Sequence, residues 1–277
     1  MRRIPLPALW VSCTNMSDKF ESLPSRLKAV SSLQTINDVP CLIVKEDETP
    51  RPFLFWMHGR TAFKELDPGR YLRCVRSGMN VCAVDLPGHG ERLEPELQGA
   101  NRILPVVMQM ASEIDGVLEG LSEVGGFDMT RAAIGGMSAG GMATIQRCLK
   151  PHQFKALILE ATCGDWSFLR NKPMCAGLSD EAFHEINPIE QLGDWLCIPT
   201  MAFHSKKDEW IPYEAAVSFL DSLRKQCGSD VDIEMVSFEK TGAPFEHVGF
   251  GRQSPKVKEM QVEFLLNNVA NCQECSQ

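Results

Sequence analysis

The stretch 132–141, AAIGGMSAGG, decides the fold of this chain. It contains the pattern Gly-x-Ser-x-Gly, with one more glycine at each end and Ser138 at its centre. An apolar run leads into the pattern, and a helix-compatible run, residues 142–149, follows it. A strand, a tight turn and a helix in this order hold a central serine in a strained turn above a sheet. Ser138 is therefore the candidate nucleophile; the alternative is a glycine-rich turn whose serine caps a helix.

The rest of the chain alternates between short strands and helices. Apolar runs rich in β-branched residues, which are typical of strands, cover residues 41–45, 53–57, 81–85, 132–136, 156–159, 200–203 and 233–238. Apolar residues at helical spacing occupy residues 103–121, 214–225 and 257–265. This alternation predicts an α/β fold with a mostly parallel sheet. Ligands of such sheets bind beyond the carboxyl ends of the strands, so we expect the chemistry in the loops that follow them.

Composition narrows the classes of partner. The 277 residues are 44% hydrophobic and 23% charged, with a net charge of −8. An acidic chain lacks the basic footprint of a nucleic-acid-binding protein, and no apolar run is long enough to span a membrane. A small-molecule substrate is the expected partner. We expect an N-terminal arm and first-strand region at residues 1–39, followed by one domain over residues 40–277.

The cysteines and the N-terminus bear on location. The chain has 11 cysteines, an odd number scattered through predicted strands and helices, which favours free buried thiols and a reducing, cytoplasmic compartment. Cys272 and Cys275 have CxxC spacing without a second CxxC, so we expect no metal site. Pro5 and Pro7 interrupt the apolar N-terminal stretch, which favours a loose arm over an export signal.

A nucleophilic serine needs N–H donors aimed at the oxyanion of its tetrahedral intermediate. The residue after the serine, Ala139, supplies one through its backbone. We expect the second from the loop that follows strand 53–57, where Arg60 is the natural choice, again through its backbone N–H. His58 opens that loop, and its ring is expected to hydrogen-bond neighbouring backbone rather than to act as a base. The loop 85–92 is assigned a tight turn and no chemistry.

The acid and the base are sought in the loops after the last two strands. Asp208 follows the next-to-last predicted strand, and Glu209 and Glu160 are competing carboxylates. Of the six histidines only His247 comes after Asp208, in a loop rich in glycine and proline. In a triad of this kind the histidine takes the serine proton and the aspartate fixes the tautomer of the ring. The chain order Ser138, Asp208, His247 is one of the known orders of such triads.

Several short stretches share their residues and order with one known superfamily. They are His58-Gly59, Asp85-Leu86-Pro87-Gly88-His89-Gly90, Gly136-Met137-Ser138-Ala139-Gly140, Asp208 with Ile211-Pro212, and His247. On these residues the sequence from about residue 40 to 270 resembles the α/β-hydrolase superfamily. Within it, the chain resembles the dienelactone-hydrolase-like and prolyl-oligopeptidase-like branch, near small bacterial esterases of the YjfP type. One departure is Arg60-Thr61, where an aromatic residue or glycine is more usual after His-Gly.

The resemblance implies an α/β-hydrolase fold: an eight-stranded, mostly parallel sheet with helices on both faces and a small cap insertion. It also implies hydrolysis of esters or thioesters without a cofactor. Residues 163–192 fall between the sixth and seventh strands, where this superfamily inserts caps. One interpretation is a lid in which Trp166 and Phe168, with Met137 beside the nucleophile, form a substrate pocket. The other is a surface segment whose apolar face packs on the core.

These residues together favour a serine carboxylesterase or thioesterase that works through an acyl-enzyme on Ser138. One alternative is a small serine peptidase or amidase with the same triad, and another is a non-catalytic binding protein of the same fold. Basic residues in the loops at the expected catalytic edge also suggest a cationic rim for an anionic leaving group, although acidic residues share those loops. These basic residues are Arg60, Lys64, Arg92, Lys206, Lys207 and Arg252.

Overall fold

The computed structural model describes residues 16–270, and these residues contain one eight-stranded sheet. Its strands are β1 (Ser31–Ile36), β2 (Val39–Val44), β3 (Arg51–Met57), β4 (Asn80–Val84), β5 (Phe127–Met137), β6 (Ala156–Glu160), β7 (Thr200–Ser205) and β8 (Ile233–Phe238). Their order in the sheet is β1-β2-β4-β3-β5-β6-β7-β8. β1 and β2 form an antiparallel hairpin, β2 is antiparallel to β4, and the remaining pairs are parallel. The predicted α/β architecture with a mostly parallel sheet is confirmed.

Helices cover both faces of the sheet. They are α1 (Met16–Glu21), α2 (Ser25–Lys28), α3 (Pro68–Arg76), α4 (Ile103–Val124), α5 (Ala139–Cys148), α6 (Asp180–Ile186), α7 (Tyr213–Cys227) and α8 (Ser254–Leu265). One hydrophobic cluster joins α4, α5 and α7 to one face, and a second joins α2, α3 and α8 to the other. Because both faces are covered, every residue of β2, β4 and β6 is buried, and most of these residues are apolar. No helix among residues 16–270 is long and apolar enough to cross a membrane.

The first strand is the main difference from the strands expected on periodicity. β1 has the sequence SSLQTI and is largely solvent-facing at the edge of the sheet, so it lacks the apolar run that marks the other strands. Its signal lies in the turn to β2, where Asn37 and Asp38 have φ angles of 47° and 64°. Positive φ at both central residues is what a type I′ turn, one of the common two-residue hairpin turns, requires. Residues 1–15 of the expected N-terminal arm lie outside the described residues.

One pair of cysteines departs from the expected free thiols. The structure joins Cys197, in the connection before β7, to Cys227, the last residue of α7, by a disulfide with a Cα–Cα distance of 5.4 Å. The 30 residues that separate them in sequence hide this proximity. The other six cysteines among the described residues are free and buried, as expected. Cys13, Cys272 and Cys275 lie outside the described part of the chain.

Candidate active site

Ser138 lies between β5 and α5, in a turn with a strained backbone. Its φ and ψ angles are 52° and −116°, in a region that L-residues rarely adopt. Neighbouring glycines make the turn possible. A Cβ atom at Gly136 would lie 2.4 Å from the backbone of Gly140, and one at Gly140 would lie 2.4 Å from the carbonyl oxygen of His58. The Ser138 N–H donates to the Glu160 carbonyl oxygen over 2.8 Å, which fixes the turn against the end of β6.

The structure brings the three predicted triad residues into one hydrogen-bonded chain. The Ser138 hydroxyl donates to Nε2 of His247 over 2.9 Å, and the Nδ1–H of His247 donates to Oδ2 of Asp208 over 2.7 Å. Because a carboxylate only accepts, Nδ1 carries the ring hydrogen and Nε2 can take a proton. The side chains of His247 and Asp208 are only 2% and 0% exposed. The three side chains therefore stand at the distances that a nucleophile, its base and the acid that orients the base require.

Asp208 is held through both of its oxygens. Oδ1 accepts the backbone N–H groups of Trp210 and Ile211, each over 2.8 Å, while Oδ2 accepts from His247. A second histidine, His204, lies 3.5 Å from Oδ2, but its Nε2–H donates to the Ile211 carbonyl oxygen over 3.0 Å. Burial lowers the pKa of His204, which keeps this ring neutral. The fixed carboxylate orients the imidazole of His247, and the neutral His204 ring does not compete for it.

The two competing carboxylates lie away from the base. Glu209 is exposed to solvent. Glu160 is buried, and its Oε1 accepts from Arg70 over 2.8 Å and from Gln261 over 2.6 Å. The guanidinium of Arg70 also lies 3.6 Å from the ring centroid of Trp56. Glu160 therefore belongs to a buried polar network that sequence periodicity could not reveal, because its partners come from α3 and α8.

Glu246, which no local sequence pattern singles out, anchors the loop that carries His247. Its Oε2 accepts the Ser205 hydroxyl over 2.9 Å, the Thr241 N–H over 2.6 Å and the Thr241 hydroxyl over 2.9 Å, and its Oε1 accepts the Gly242 N–H over 2.8 Å. Burial alone would raise the pKa of Glu246, but these donors hold it at about 2. The carboxylate thus ties the loop that carries His247 to the end of β7.

The two predicted oxyanion donors lie close to the nucleophile. Ala139 is the first residue of α5, so its N–H has no acceptor within the helix. A Cβ atom on Gly59 would lie 3.4 Å from the Cβ of Ser138, which places the loop of Arg60 directly beside the serine. The guanidinium of Arg60 donates to the Gln98 carbonyl oxygen over 2.7 Å. Any role of Arg60 at the oxyanion therefore falls to its backbone N–H.

His58 supports this loop, as the sequence analysis expected. The Leu86 N–H donates to its Nε2 over 3.1 Å, so Nδ1 carries the ring hydrogen and donates to the Gly59 carbonyl oxygen over 2.7 Å. His58 therefore links the loop after β3 to the loop after β4.

The expected cationic rim is wrong for Lys64, and two of its other members, Lys206 and Arg92, are paired with carboxylates. Lys64 is only 1% exposed, and its Nζ lies 2.9 Å from Asp85 and 2.5 Å from Glu91. Burial opposes the charge of Lys64, but the facing carboxylates outweigh this effect and raise its pKa. Lys206 pairs with Glu239 at 2.5 Å, and Arg92 pairs with Glu113 at 2.7 Å. Three of the six basic residues are thus paired with acidic side chains that the fold brings together.

The three predicted pocket residues have different surroundings. Trp166 has no exposed surface and belongs to the hydrophobic core, and its indole N–H donates to the Cys163 carbonyl oxygen over 3.2 Å. It therefore does not line an accessible pocket, because the turn 166–169 directs its ring inward. Phe168 on the same turn is 46% exposed. Met137 precedes the nucleophile, and its Cγ would lie 3.9 Å from a Cβ atom on Gly59.

The arrangement can support acyl transfer. It supplies a hydroxyl, an imidazole with a free nitrogen, a buried carboxylate and backbone N–H groups near the reacting oxygen. Within residues 16–270, no group of three or more His, Cys, Asp or Glu side chains is placed to hold a metal ion.

Comparison with protein families places this geometry in a known context. A family model described as the prolyl oligopeptidase family matches residues 74–272, which is more than half of the chain and includes Ser138, Asp208 and His247. The chain belongs to the prolyl oligopeptidase family. No match to a curated protein was found.

Solved structures of peptidases and of an esterase are similar to this chain over most of its length, which confirms the α/β-hydrolase fold that the sequence resemblance implied. An acylaminoacyl peptidase from Pyrococcus horikoshii is 18% identical with a TM-score of 0.69; the match covers 89% of this chain but only 43% of the peptidase. TT1662 from Thermus thermophilus is 18% identical with a TM-score of 0.68, covering 88% and 98% of the two chains. Esterase 2 from Thermogutta terrifontis, phosphorylated by paraoxon, is 19% identical with a TM-score of 0.64, covering 86% and 94%.

Proposed function

We propose that this protein is a serine hydrolase that cleaves carboxylic esters or thioesters through an acyl-enzyme on Ser138. The observation that carries the proposal is the hydrogen-bonded chain from Ser138 through His247 to Asp208. His247 takes the hydroxyl proton as the serine oxygen attacks the substrate carbonyl, and it returns that proton to the leaving group. Asp208 stabilises the imidazolium, and the N–H groups of Ala139 and Arg60 stabilise the oxyanion. Water then hydrolyses the acyl-enzyme by the same steps.

A second candidate, cleavage of peptides or amides, is favoured by membership in the prolyl oligopeptidase family and by the similarity to an acylaminoacyl peptidase. The ester proposal is supported by the similarity to Esterase 2 and by the resemblance to small bacterial esterases. The third reading, a non-catalytic binding protein, leaves the strained serine and its buried base without a purpose, since such strain is retained where the mechanism uses it.

A cytoplasmic location is also a proposal. It is supported by the six buried free thiols among the described residues, whereas the Cys197–Cys227 bond requires an oxidant to form.

The deciding experiment is covalent labelling of the purified protein by a fluorophosphonate probe. We expect labelling of the wild type and none of Ser138→Ala, with a loss of turnover on the order of 10⁶ in kcat. His247→Gln should abolish labelling and turnover alike, and Asp208→Asn should cost about 10⁴ in kcat because the wrong tautomer is held. Labelling that persists in a folded Ser138→Ala variant contradicts the proposal.

Ester and amide activities are separated with matched substrates that share one acyl group. A p-nitrophenyl ester and a p-nitroanilide serve this purpose, each measured on the wild type and on Ser138→Ala. We expect the ratio of kcat/KM for the ester to kcat/KM for the anilide to be far larger than the ratio of their uncatalysed hydrolysis rates. Efficient cleavage of the anilide, dependent on Ser138, would instead select the peptidase candidate.

A further inference from the structure

Two aromatic side chains flank the base and have no role in the triad. Trp210 comes two residues after Asp208, and Phe245 two residues before His247. Their rings stack with centroids 5.1 Å apart and an interplanar angle of 27°, and the Trp210 ring centroid lies 4.7 Å from that of His247. We call Trp210 and Phe245 the aromatic stack.

The backbone fixes the aromatic stack in place. The Trp210 N–H donates to Oδ1 of Asp208 over 2.8 Å, and the Glu209 N–H donates to the Phe245 carbonyl oxygen over 3.1 Å. Phe245 has a φ of 55°, an unusual conformation for a bulky residue. Strained residues that persist beside a site of chemistry are a recognised basis for a functional hypothesis.

The aromatic stack is only partly covered. Trp210 and Phe245 are each half-buried, and Val248 on the same loop is 43% exposed. Packing on the core covers part of the Trp210 side chain. Both rings keep some exposed apolar surface beside His247. A substrate carbonyl attacked by Ser138 Oγ lies next to the His247 ring, which must come within hydrogen-bond reach of the leaving-group atom in order to protonate it. Its substituents therefore pass within a few ångströms of the aromatic stack.

We propose that the aromatic stack is a binding subsite for a flat apolar group of the substrate, with Trp210 as a specificity-determining residue. The proposal rests on the proposed serine hydrolase function. The same chemistry can come from the acyl group or from the leaving group of the ester, because both are attached to the carbonyl that reacts. Apolar contact and ring stacking provide the affinity, since aromatic pairs gain stability beyond the area that they bury.

The test measures kcat/KM by proton release for methyl acetate, benzyl acetate and methyl phenylacetate. The first ester has no ring, the second carries it on the leaving group and the third on the acyl group. The variants are Trp210→Ala, the conservative Trp210→Phe, and Phe245→Leu. Leu196→Ala is the control. Leu196 is 45% exposed, but it lies before β7, whereas Asp208 follows the other end of that strand.

We expect the wild type to prefer one of the two aromatic esters. Trp210→Ala should reduce that preference by about five-fold or more, mainly through KM and beyond any change that it causes on methyl acetate. Trp210→Phe should retain most of the preference, Phe245→Leu should lose part of it, and Leu196→Ala should lose none. The aromatic ester that is affected identifies the acyl or the leaving group as the occupant.

An equal loss of kcat on all three esters would show that Trp210 only packs against the base, and would overturn the proposal. So would an unchanged preference in both Trp210→Ala and Phe245→Leu. Fluorophosphonate labelling of every variant distinguishes a failure of the proposed serine hydrolase function from a failure of the proposed subsite. A wild type that is neither labelled nor active refutes the serine hydrolase function itself, whereas labelled, active variants with unaltered preference refute only the subsite.

Discussion

Replacing Glu246 with glutamine tests whether the loop of the base depends on a buried carboxylate. The two oxygens of Glu246 accept four hydrogen bonds, three at Oε2 and one at Oε1. A glutamine offers one oxygen and an NH₂ group that only donates. If its oxygen takes the Oε2 position, three charge-assisted bonds become neutral and the Gly242 N–H faces another donor.

The magnitude follows from the hydrogen bonds. Bonds to charged groups contribute roughly 1.5–3 kcal/mol each, and neutral bonds roughly 0.5–1.5 kcal/mol. Gly242 is exposed, so water can take up its N–H and reduce the cost. We expect Glu246→Gln to lower the free energy of unfolding at pH 7 by about 2–4 kcal/mol. kcat should fall as well, because a looser loop holds His247 less firmly against Ser138.

The pKa of Glu246 predicts how the stabilisation by its carboxylate changes with pH. The pKa of Glu246 is about 2 in the folded protein, against an ordinary value of 4.5. The unfolded chain therefore binds more protons between these values, so the stabilisation is complete above about pH 4.5 and is lost as the pH falls towards 2. Urea denaturation at pH 7 and at pH 3 measures the difference, with Glu123→Gln, at the exposed end of α4, as the control. A variant as stable as the wild type at pH 7, or a deficit that does not shrink in acid, would refute the reasoning.

Three further changes test other parts of the structure. Arg70→Met leaves the buried carboxylate of Glu160 without its cation, whereas Asp67 keeps Lys258, and should cost about 3–5 kcal/mol in urea denaturation; a loss below about 1 kcal/mol would contradict the network. Gly140→Ala places a Cβ atom 2.4 Å from a backbone oxygen and should abolish fluorophosphonate labelling or soluble expression, whereas Gly193→Ala meets nothing within 4 Å and should be neutral. Loss of the Cys197–Cys227 bond, which closes a separation of 30 residues, should cost about 3–4 kcal/mol. Reductant should then lower the melting temperature of the wild type but not of the double serine variant.

The parts of the molecule that sequence predicts are those with a local signal. The glycines around Ser138 are readable because a tight turn needs them whatever lies elsewhere, and the chain order then points to Asp208 and His247. Seven of the eight strands carry a local apolar signal, and β2, β4, β6 and β7 are buried along their whole length because both faces of the sheet are covered there. The exception, β1, is a polar edge strand.

The parts that sequence does not predict depend on contacts between distant residues. Lys64 has the sequence neighbourhood of a surface lysine, and its burial follows from Asp85, 21 residues away. Glu246 acts through Ser205, 41 residues earlier. The apolar character of Trp166 is compatible with a pocket and with the core, and the fold buries its ring in the core. Burial and pairing of such side chains are decided by the completed fold, so spacing and composition cannot reveal them.

The position of the base at the border of the sheet has a consequence for how the protein loses function. Ser138 follows β5 in the middle of the sheet, whereas His247 follows β8, the edge strand, which has a single neighbour and is mostly half-exposed. Edges open at lower free energy than the centre of a sheet. Fraying of this border separates base from nucleophile while the remaining strands stay paired. Inactivation on warming should therefore precede melting, and turnover should return on cooling as long as the centre of the sheet has not opened.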